Sequence, residues 1–317
     1  MADVLCLRPL KDFQDVGVEP PASLDIQVME PGDAGLADAI STARALVIPA
    51  VGPWLDTKHI KGSSVRLVQI TGAGVDRVDV AALAQLGIPV ANVPGGSAAA
   101  VAEYAITASS ALLRFLPEST CAIRAGDYSA TRQRMIARGL NQLSGLVVGI
   151  VGYGVIGRAT AQRFIALGAQ VIFFDPMVEG GVALADVLMT ADIVSLHVPL
   201  LDSTRALVGE GEIASMKPGA ILVNAARGGV VDEAALAAAL ESGHLGGAAI
   251  DVYSSEPPAP DNPLLSVGPE ASARLILTPH IAGVTRQAWS QLFSQAWENV
   301  VRVLVSGKPA RNVVNQD

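Results

Sequence analysis

Half of the 317 residues are hydrophobic, the formal net charge is −8 and the sequence pI is near 5.0. A chain of this length exceeds one ordinary hydrophobic core and implies two domains. Its acidity, with no long Lys/Arg run, lacks the electrostatic footprint of a nucleic-acid binder, so a small-molecule partner is expected.

The chain opens with Met1-Ala-Asp-Val-Leu-Cys-Leu-Arg8, whose early acid and short apolar stretch do not fit a signal peptide. No segment reaches the ~20 apolar residues of a membrane-spanning helix. The expected compartment is the cytoplasm, without a membrane partner. Short apolar runs then alternate with amphipathic segments, the pattern of βα units on a parallel sheet buried on both faces. Strands are predicted at Val4–Leu7, Ile26–Met29, Ala45–Ile48, Leu67–Ile70 and Pro89–Asn92, with helices near Ala34–Ala43, Leu55–Ile60 and Val80–Leu86. After the third strand, Ala50-Val-Gly-Pro-Trp54 forms either a pocket wall or ordinary packing. After the fourth, Gly72-Ala73-Gly74 either shapes a turn or points consecutive amides at an anion.

An alanine-rich helix from Ser97 to Leu116, with Ser97 as N-cap and Pro117 as stop, crosses to a second series. Its strands are predicted at Leu146–Val151, Val171–Phe174, Ile193–Leu196, Ile221–Asn224, Ala248–Asp251 and Leu275–Leu277, with helices starting near Val155, Val182 and Asp232. A last helix, about Thr285–Val305, returns to the first domain and sets two crossings side by side as a hinge. The expected architecture is α/β with two doubly wound parallel-sheet domains. Residues 1–97 and 287–317 make a smaller, flavodoxin-like domain, and residues 98–286 a Rossmann-type domain. Cys6 and Cys121 lack the spacing of a metal knuckle or a disulfide framework, and no metal site is expected.

The second series begins with the parts of a dinucleotide site. The run Leu146-Val-Val-Gly-Ile-Val151 enters Gly152-Tyr153-Gly154-Val155-Ile156-Gly157. Gly152 permits a tight turn, Gly154 lets the backbone approach a pyrophosphate, and Gly157 lets the helix lie close to the strand. Asp175 ends the next strand 18 residues beyond Gly157, near the offset at which a carboxylate meets the adenosine ribose hydroxyls. Asp rather than Arg at that strand end points to NAD over NADP.

With these segments placed, the chain resembles the D-isomer-specific 2-hydroxyacid dehydrogenase family over most of its length. The matching stretches are the glycine loop, Leu196-His-Val-Pro-Leu200, Asn224-Ala-Ala-Arg-Gly-Gly-Val-Val-Asp-Glu233, Gly247-Ala-Ala-Ile-Asp-Val-Tyr-Ser-Ser-Glu-Pro257 and Thr278-Pro-His-Ile-Ala-Gly283. The resemblance implies Arg227, Glu256 and His280 as catalytic residues and Asp251 as a contact of the nicotinamide carboxamide. It also implies Gly72-Ala73-Gly74, with Arg227, as the substrate loop, a homodimer through the cofactor domain, and an active site in the cleft between the domains. His197 is read as structural, near the cofactor.

The residue types suit that chemistry. Reduction of a 2-oxo acid needs a hydride donor, a proton for the carbonyl oxygen and a cation for the carboxylate. Arg227 offers a planar fork of donors. His280 supplies a residue type suited to general acid–base catalysis, and Glu256 would fix its tautomer. Two positions depart from the pattern: Ile70 stands where phosphoglycerate-oxidising members carry arginine, and Arg77 replaces an asparagine. No regulatory C-terminal domain is expected after the last helix, and formate-oxidising members use glutamine at the place of Glu256. The reading is therefore an NAD-dependent oxidoreductase interconverting a small unphosphorylated 2-oxo acid (glyoxylate, hydroxypyruvate or a short aliphatic) and its 2-hydroxy acid. The rivals are a phosphoglycerate dehydrogenase and a non-catalytic NADH-sensing, corepressor-like protein.

Overall fold

The computed structural model describes residues 2–316. In chain order it has β1 (Val4–Cys6), α1 (Leu10–Gln14), β2 (Ile26–Val28), α2 (Leu36–Thr42), β3 (Ala45–Ile48), β4 (Val68–Ile70), α3 (Val80–Gln85) and β5 (Val90–Ala91). There follow α4 (Ala98–Leu113), α5 (Leu116–Arg124), α6 (Tyr128–Arg138), β6 (Val147–Val151), α7 (Val155–Ala166), β7 (Gln170–Phe174), α8 (Leu184–Thr190) and β8 (Ile193–Leu196). The chain continues through α9 (Glu210–Ser215), β9 (Ile221–Asn224), α10 (Glu233–Glu241), β10 (Gly247–Ile250), α11 (Pro269–Ser272) and β11 (Leu275–Leu277) to α12 (Arg286–Leu304). Residues 1–97 with 284–317 form one compact unit, and residues 98–283 another.

The first unit is built on a five-stranded, all-parallel sheet in the order β2-β1-β3-β4-β5. This is the flavodoxin-like order, whose direction reverses between β1 and β3. The strands are short and nearly every residue is apolar because both faces are covered, except at the edge strand β2, where Gln27 and Val28 are exposed. On one face, Leu292, Phe293, Ala296, Trp297 and Val300 recur at helical spacing along α12 and bury against β1, β3 and Phe13 of α1. The other face packs Ile40 of α2 and Leu83 of α3 against Leu46, Ile48 and Ile70.

The second unit has a six-stranded parallel sheet in the order β11-β10-β9-β8-β6-β7, which reverses between β6 and β8. One face buries Ala105, Ala108 and Leu112 of α4 with Phe164 of α7, and the other is filled from α8, α9 and α10. The two doubly wound parallel sheets are those expected. Among the described residues no single helix is long and apolar enough to cross a membrane. Only the pair α4 and α5, bent by 56°, passes such a test together, and α4 lies in the core.

Local expectations fail where the apolar pattern is thin. Leu55–Ile60 is not an α-helix but holds a single 3₁₀ turn at Thr57–His59, capped by the Asp56 carboxylate on the Lys58 amide. A segment that short cannot offset the cost of nucleating a helix. Pro117 does not stop a helix. It stands in the first turn of α5, where its missing N–H has no partner to lose, and the break falls before it at Phe115, whose φ is 50°. α6 buries only Thr131 and Met135 and so has no apolar stripe to reveal it.

Candidate active site

At the switch point of the second sheet, β6 runs into α7 through Gly152-Tyr153-Gly154. Gly152 has φ 92°, and a Cβ there would sit 2.6 Å from the His197 carbonyl oxygen. A Cβ on Gly157 would sit 2.0 Å from the Gly152 carbonyl oxygen, so only glycine lets α7 lie this close to the loop. Gly154, by contrast, faces open space, and no side chain caps the amides at the start of α7. An uncapped helix N-terminus beside an open glycine is a cradle for a phosphate. Asp175, half-buried at the end of β7, accepts from the Tyr153 amide at 2.7 Å and the Met177 amide at 2.9 Å. These contacts fix the carboxylate at the loop and leave lone pairs for ribose hydroxyls. Val155 and Ile156 open α7, and Tyr153 stacks on Phe173 with centroids 3.8 Å apart. The residues present fit NAD.

The ends of β10 and β11 carry the candidate proton donor. His280 has φ 55°, an uncommon conformation for a residue with a Cβ. It is maintained by the Asp251 carboxylate, which is 1% exposed and accepts from the Thr278 hydroxyl at 2.5 Å and from the Ile281 and Ala282 amides at 2.8 Å. The His280 amide donates to the Asp251 carbonyl at 2.8 Å. The resemblance implies that Asp251 contacts the nicotinamide carboxamide; in this structure its carboxylate also holds the His280 segment. Because Thr278 spends its only hydroxyl proton on Asp251, Tyr104 must be the donor in its 2.7 Å contact with Thr278 Oγ1. Tyr253 donates to the Thr278 carbonyl at 3.0 Å. Tyr104, Tyr253 and Thr278 have no side-chain role in the sequence reading; Tyr253 and Thr278 are signalled there only by proximity to Asp251 and His280, and Tyr104, 174 positions from Thr278, by nothing.

His280 Nδ1 lies 2.8 Å from Glu256 Oε2, while Glu256 Oε1 accepts from the Tyr253 amide at 3.1 Å. Burial by itself would raise the Glu256 carboxyl. The hydrogen bond and charge of His280, the Tyr253 amide and the charge of Arg227 outweigh it and hold the group below the usual carboxylate range. Arg227 follows β9 and donates Nη1 to the Ala226 carbonyl at 2.7 Å. His197, after β8, has its Nε2 3.0 Å from Ser195 Oγ and its Nδ1 buried without a partner. Burial pushes its pKa down to about 4, so the ring is neutral.

In the first unit, Gly72 and Gly74 do not adopt the left-handed conformation of an alternating nest. Gly72 is required for another reason: a Cβ would stand 2.7 Å from Ala50 Cβ. The Gly72 carbonyl accepts from the Val93 amide at 2.9 Å and the Ala73 carbonyl from Asn92 Nδ2 at 2.7 Å. Since a trans peptide sets N–H opposite C=O, the Ala73 and Gly74 amides both point away from β5. Arg77 is 3% exposed and spends Nε on the Pro53 carbonyl at 2.8 Å and Nη1 on that of Pro49 at 3.1 Å, clamping the 49–54 loop. Ile70 is wholly buried in the core and Trp54 is exposed.

Residues 106–282 match the family model described as "D-isomer specific 2-hydroxyacid dehydrogenase, NAD binding domain". The chain is 41% identical over 250 residues to the (S)-sulfolactate dehydrogenase of Chromohalobacter salexigens, covering 76% of this chain and 78% of that one. It is 38% identical over 261 residues to the D-3-phosphoglycerate dehydrogenase of Archaeoglobus fulgidus, covering 80% of this chain but only 47% of the relative, about half its length. The solved structure of the TT0316 protein from Thermus thermophilus superposes with a TM-score of 0.82 at 31% identity, over 98% of this chain and 99% of that one.

Proposed function

The chain belongs to the D-isomer specific 2-hydroxyacid dehydrogenase family, and on that premise we propose that it interconverts a small unphosphorylated 2-oxo acid and its 2-hydroxy acid, using NAD. The observation that carries this reading is the Glu256–His280 pair, 2.8 Å apart and within reach of the charge of Arg227, in the unit whose glycine loop fits NAD. Bound NADH supplies the hydride for the carbonyl carbon. Arg227 orients the substrate through its carboxylate and steadies the negative charge that grows on the carbonyl oxygen. Glu256, ionised, accepts the Nδ1 proton of His280, so Nε2 carries the proton delivered to that oxygen. In oxidation His280 takes the proton back. In this reading the domain of residues 1–97 and 287–317 binds the substrate, and its Ala73 and Gly74 amides are donors available to a carboxylate.

Glyoxylate, hydroxypyruvate and short aliphatic 2-oxo acids are the favoured substrates. A phosphate dianion buried without cationic or amide partners costs several kcal/mol. Ile70 offers no partner, and Arg77 is already held by two carbonyls. The likeness to a phosphoglycerate dehydrogenase favours the phosphorylated analogue instead. Comparing kcat/KM for hydroxypyruvate and 3-phosphohydroxypyruvate decides between them: the unphosphorylated acid should win, and preference for the phosphorylated one would overturn the assignment. A purely NADH-sensing role would need no acid, and the Glu256–His280 pair speaks against it. Leu116, Ile123, Tyr128, Ile136 and Leu140 leave exposed apolar side chains concentrated on and just after α5 and α6. That concentration supports a homodimer through this region, testable by light scattering.

A further inference from the structure

The first unit contains a cavity of about 580 Å³ between the end of β5, the C-terminal half of α12 and the segment that follows it. That is the size range of small-molecule sites. In a chain of net charge −8, its wall gathers Arg302, Lys308 and Arg311 against the single carboxylate of Glu298. Arg302 has a structural task in the last turn of α12, where it offsets the helix dipole and gives Nε to the Pro309 carbonyl at 2.6 Å. Lys308 and Arg311 lie beyond the helix, and the 4.0 Å approach of Arg311 to Glu298 is a loose, exposed pair. Cations with so little local compensation, converging on one concavity, suit an anion with more than one charge.

The same wall touches the loop assigned to the substrate carboxylate. Asn92 lines the cavity and donates Nδ2 to the Ala73 carbonyl at 2.7 Å. Asn299, also in the wall, is 5% exposed and donates at 2.8 Å to Gln69 of β4, the strand that leads into that loop. We propose that the cavity is a regulatory site for a small multivalent oxyanion, a di- or tricarboxylate or a phosphate, whose occupancy changes the mobility of the Gly72–Gly74 loop through Asn92 and Asn299. The regulatory consequence rests on the substrate role proposed for that loop, whereas the anion site stands without it.

Calorimetric titration with citrate and with inorganic phosphate, at constant ionic strength, tests the site, and the probe that binds distinguishes the carboxylate from the phosphate class. One equivalent should bind per chain, and the double variant Lys308→Gln/Arg311→Gln should weaken binding at least ~10-fold, as expected for losing two charge-assisted contacts. Hydrogen exchange of the Ala73 and Gly74 amides should change with the bound probe in the unmodified protein and not in the double variant. This readout needs no enzymatic activity, so it holds even if no 2-oxo acid is reduced and the functional reading fails. Where the enzyme is active, the probe should shift KM for the 2-oxo acid only when Lys308 and Arg311 are present. Absence of heat with both probes, equal affinity in the double variant, unaltered exchange at the loop, or a KM shift that persists in the variant would each overturn the proposal.

Discussion

Glu256 Oε2 and His280 Nδ1 stand 2.8 Å apart, and the carboxyl's pKa, below its usual range, settles which atom donates. An ionised Glu256 has no proton to give, so Nδ1 carries one, and in the proposed reaction Nε2 is the atom left to serve the substrate. Glu256→Gln removes the anion and keeps the size. Loss of that charge weakens the pair's hold on its proton, so the pH–rate profile for reduction should move to lower pH. A profile that stays in place would uncouple Glu256 from the acid.

Asp175 should set the cofactor preference. Its carboxylate is fixed by the Tyr153 and Met177 amides, where it would accept from ribose hydroxyls and repel a 2′-phosphate. Strong preference for NADH over NADPH is expected, narrowing in Asp175→Ala chiefly through lost NADH efficiency. Equal use of both cofactors by the unmodified protein would contradict this.

Asp251 should matter more for the shape of the His280 segment than for the cofactor. Asp251→Asn turns an acceptor of three hydrogen bonds into a group that donates from one side. Each buried donor left unmet costs about 1–3 kcal/mol. A lowered Tm and a turnover loss exceeding any loss of NADH affinity are expected; a variant impaired only in NADH binding would return Asp251 to the nicotinamide role.

His197 gives a pH signature in stability. Its pKa is about 4 in the folded protein because burial disfavours the charged ring, against an ordinary 6.5. Below 6.5 the unfolded chain takes a proton that the folded one refuses. The stability present above that pH should fall until about pH 4, where the folded form also protonates. The gap is worth at most roughly 3.5 kcal/mol, at ~1.4 kcal/mol for each pH unit between the two values. His197→Gln should lose this dependence, so the Tm difference between the two proteins should change across that window. A constant difference would show that His197 is accessible to protons in the folded state.

The dinucleotide loop was legible because its constraints are local: Gly152, Gly154 and Gly157 answer to one turn, one open face and one helix approach within six residues. The strands were legible because burial on both faces forces apolar runs. What joins distant segments left no such trace. Tyr104 reaches Thr278 across 174 positions, and nothing near either residue announces the contact. Arg77 looks like a free charge in sequence, yet the fold turns it toward carbonyls 24 and 28 positions upstream. Pro117 misleads because proline ends one helix and begins another with equal ease, and only the bend at Phe115 decides which.

Spectrophotometric loss of NADH with glyoxylate, hydroxypyruvate and short aliphatic 2-oxo acids, run beside His280→Ala and Arg227→Ala, tests the proposed reaction most directly. At least one of these acids should be reduced by the unmodified protein. Each variant should lower that rate at least ~10²-fold, the scale of losing a positioned acid or charge donor, while still binding NADH. No reduction of any 2-oxo acid, or undiminished reduction by His280→Ala, would contradict the assignment of His280 as the proton donor of a 2-hydroxyacid dehydrogenase.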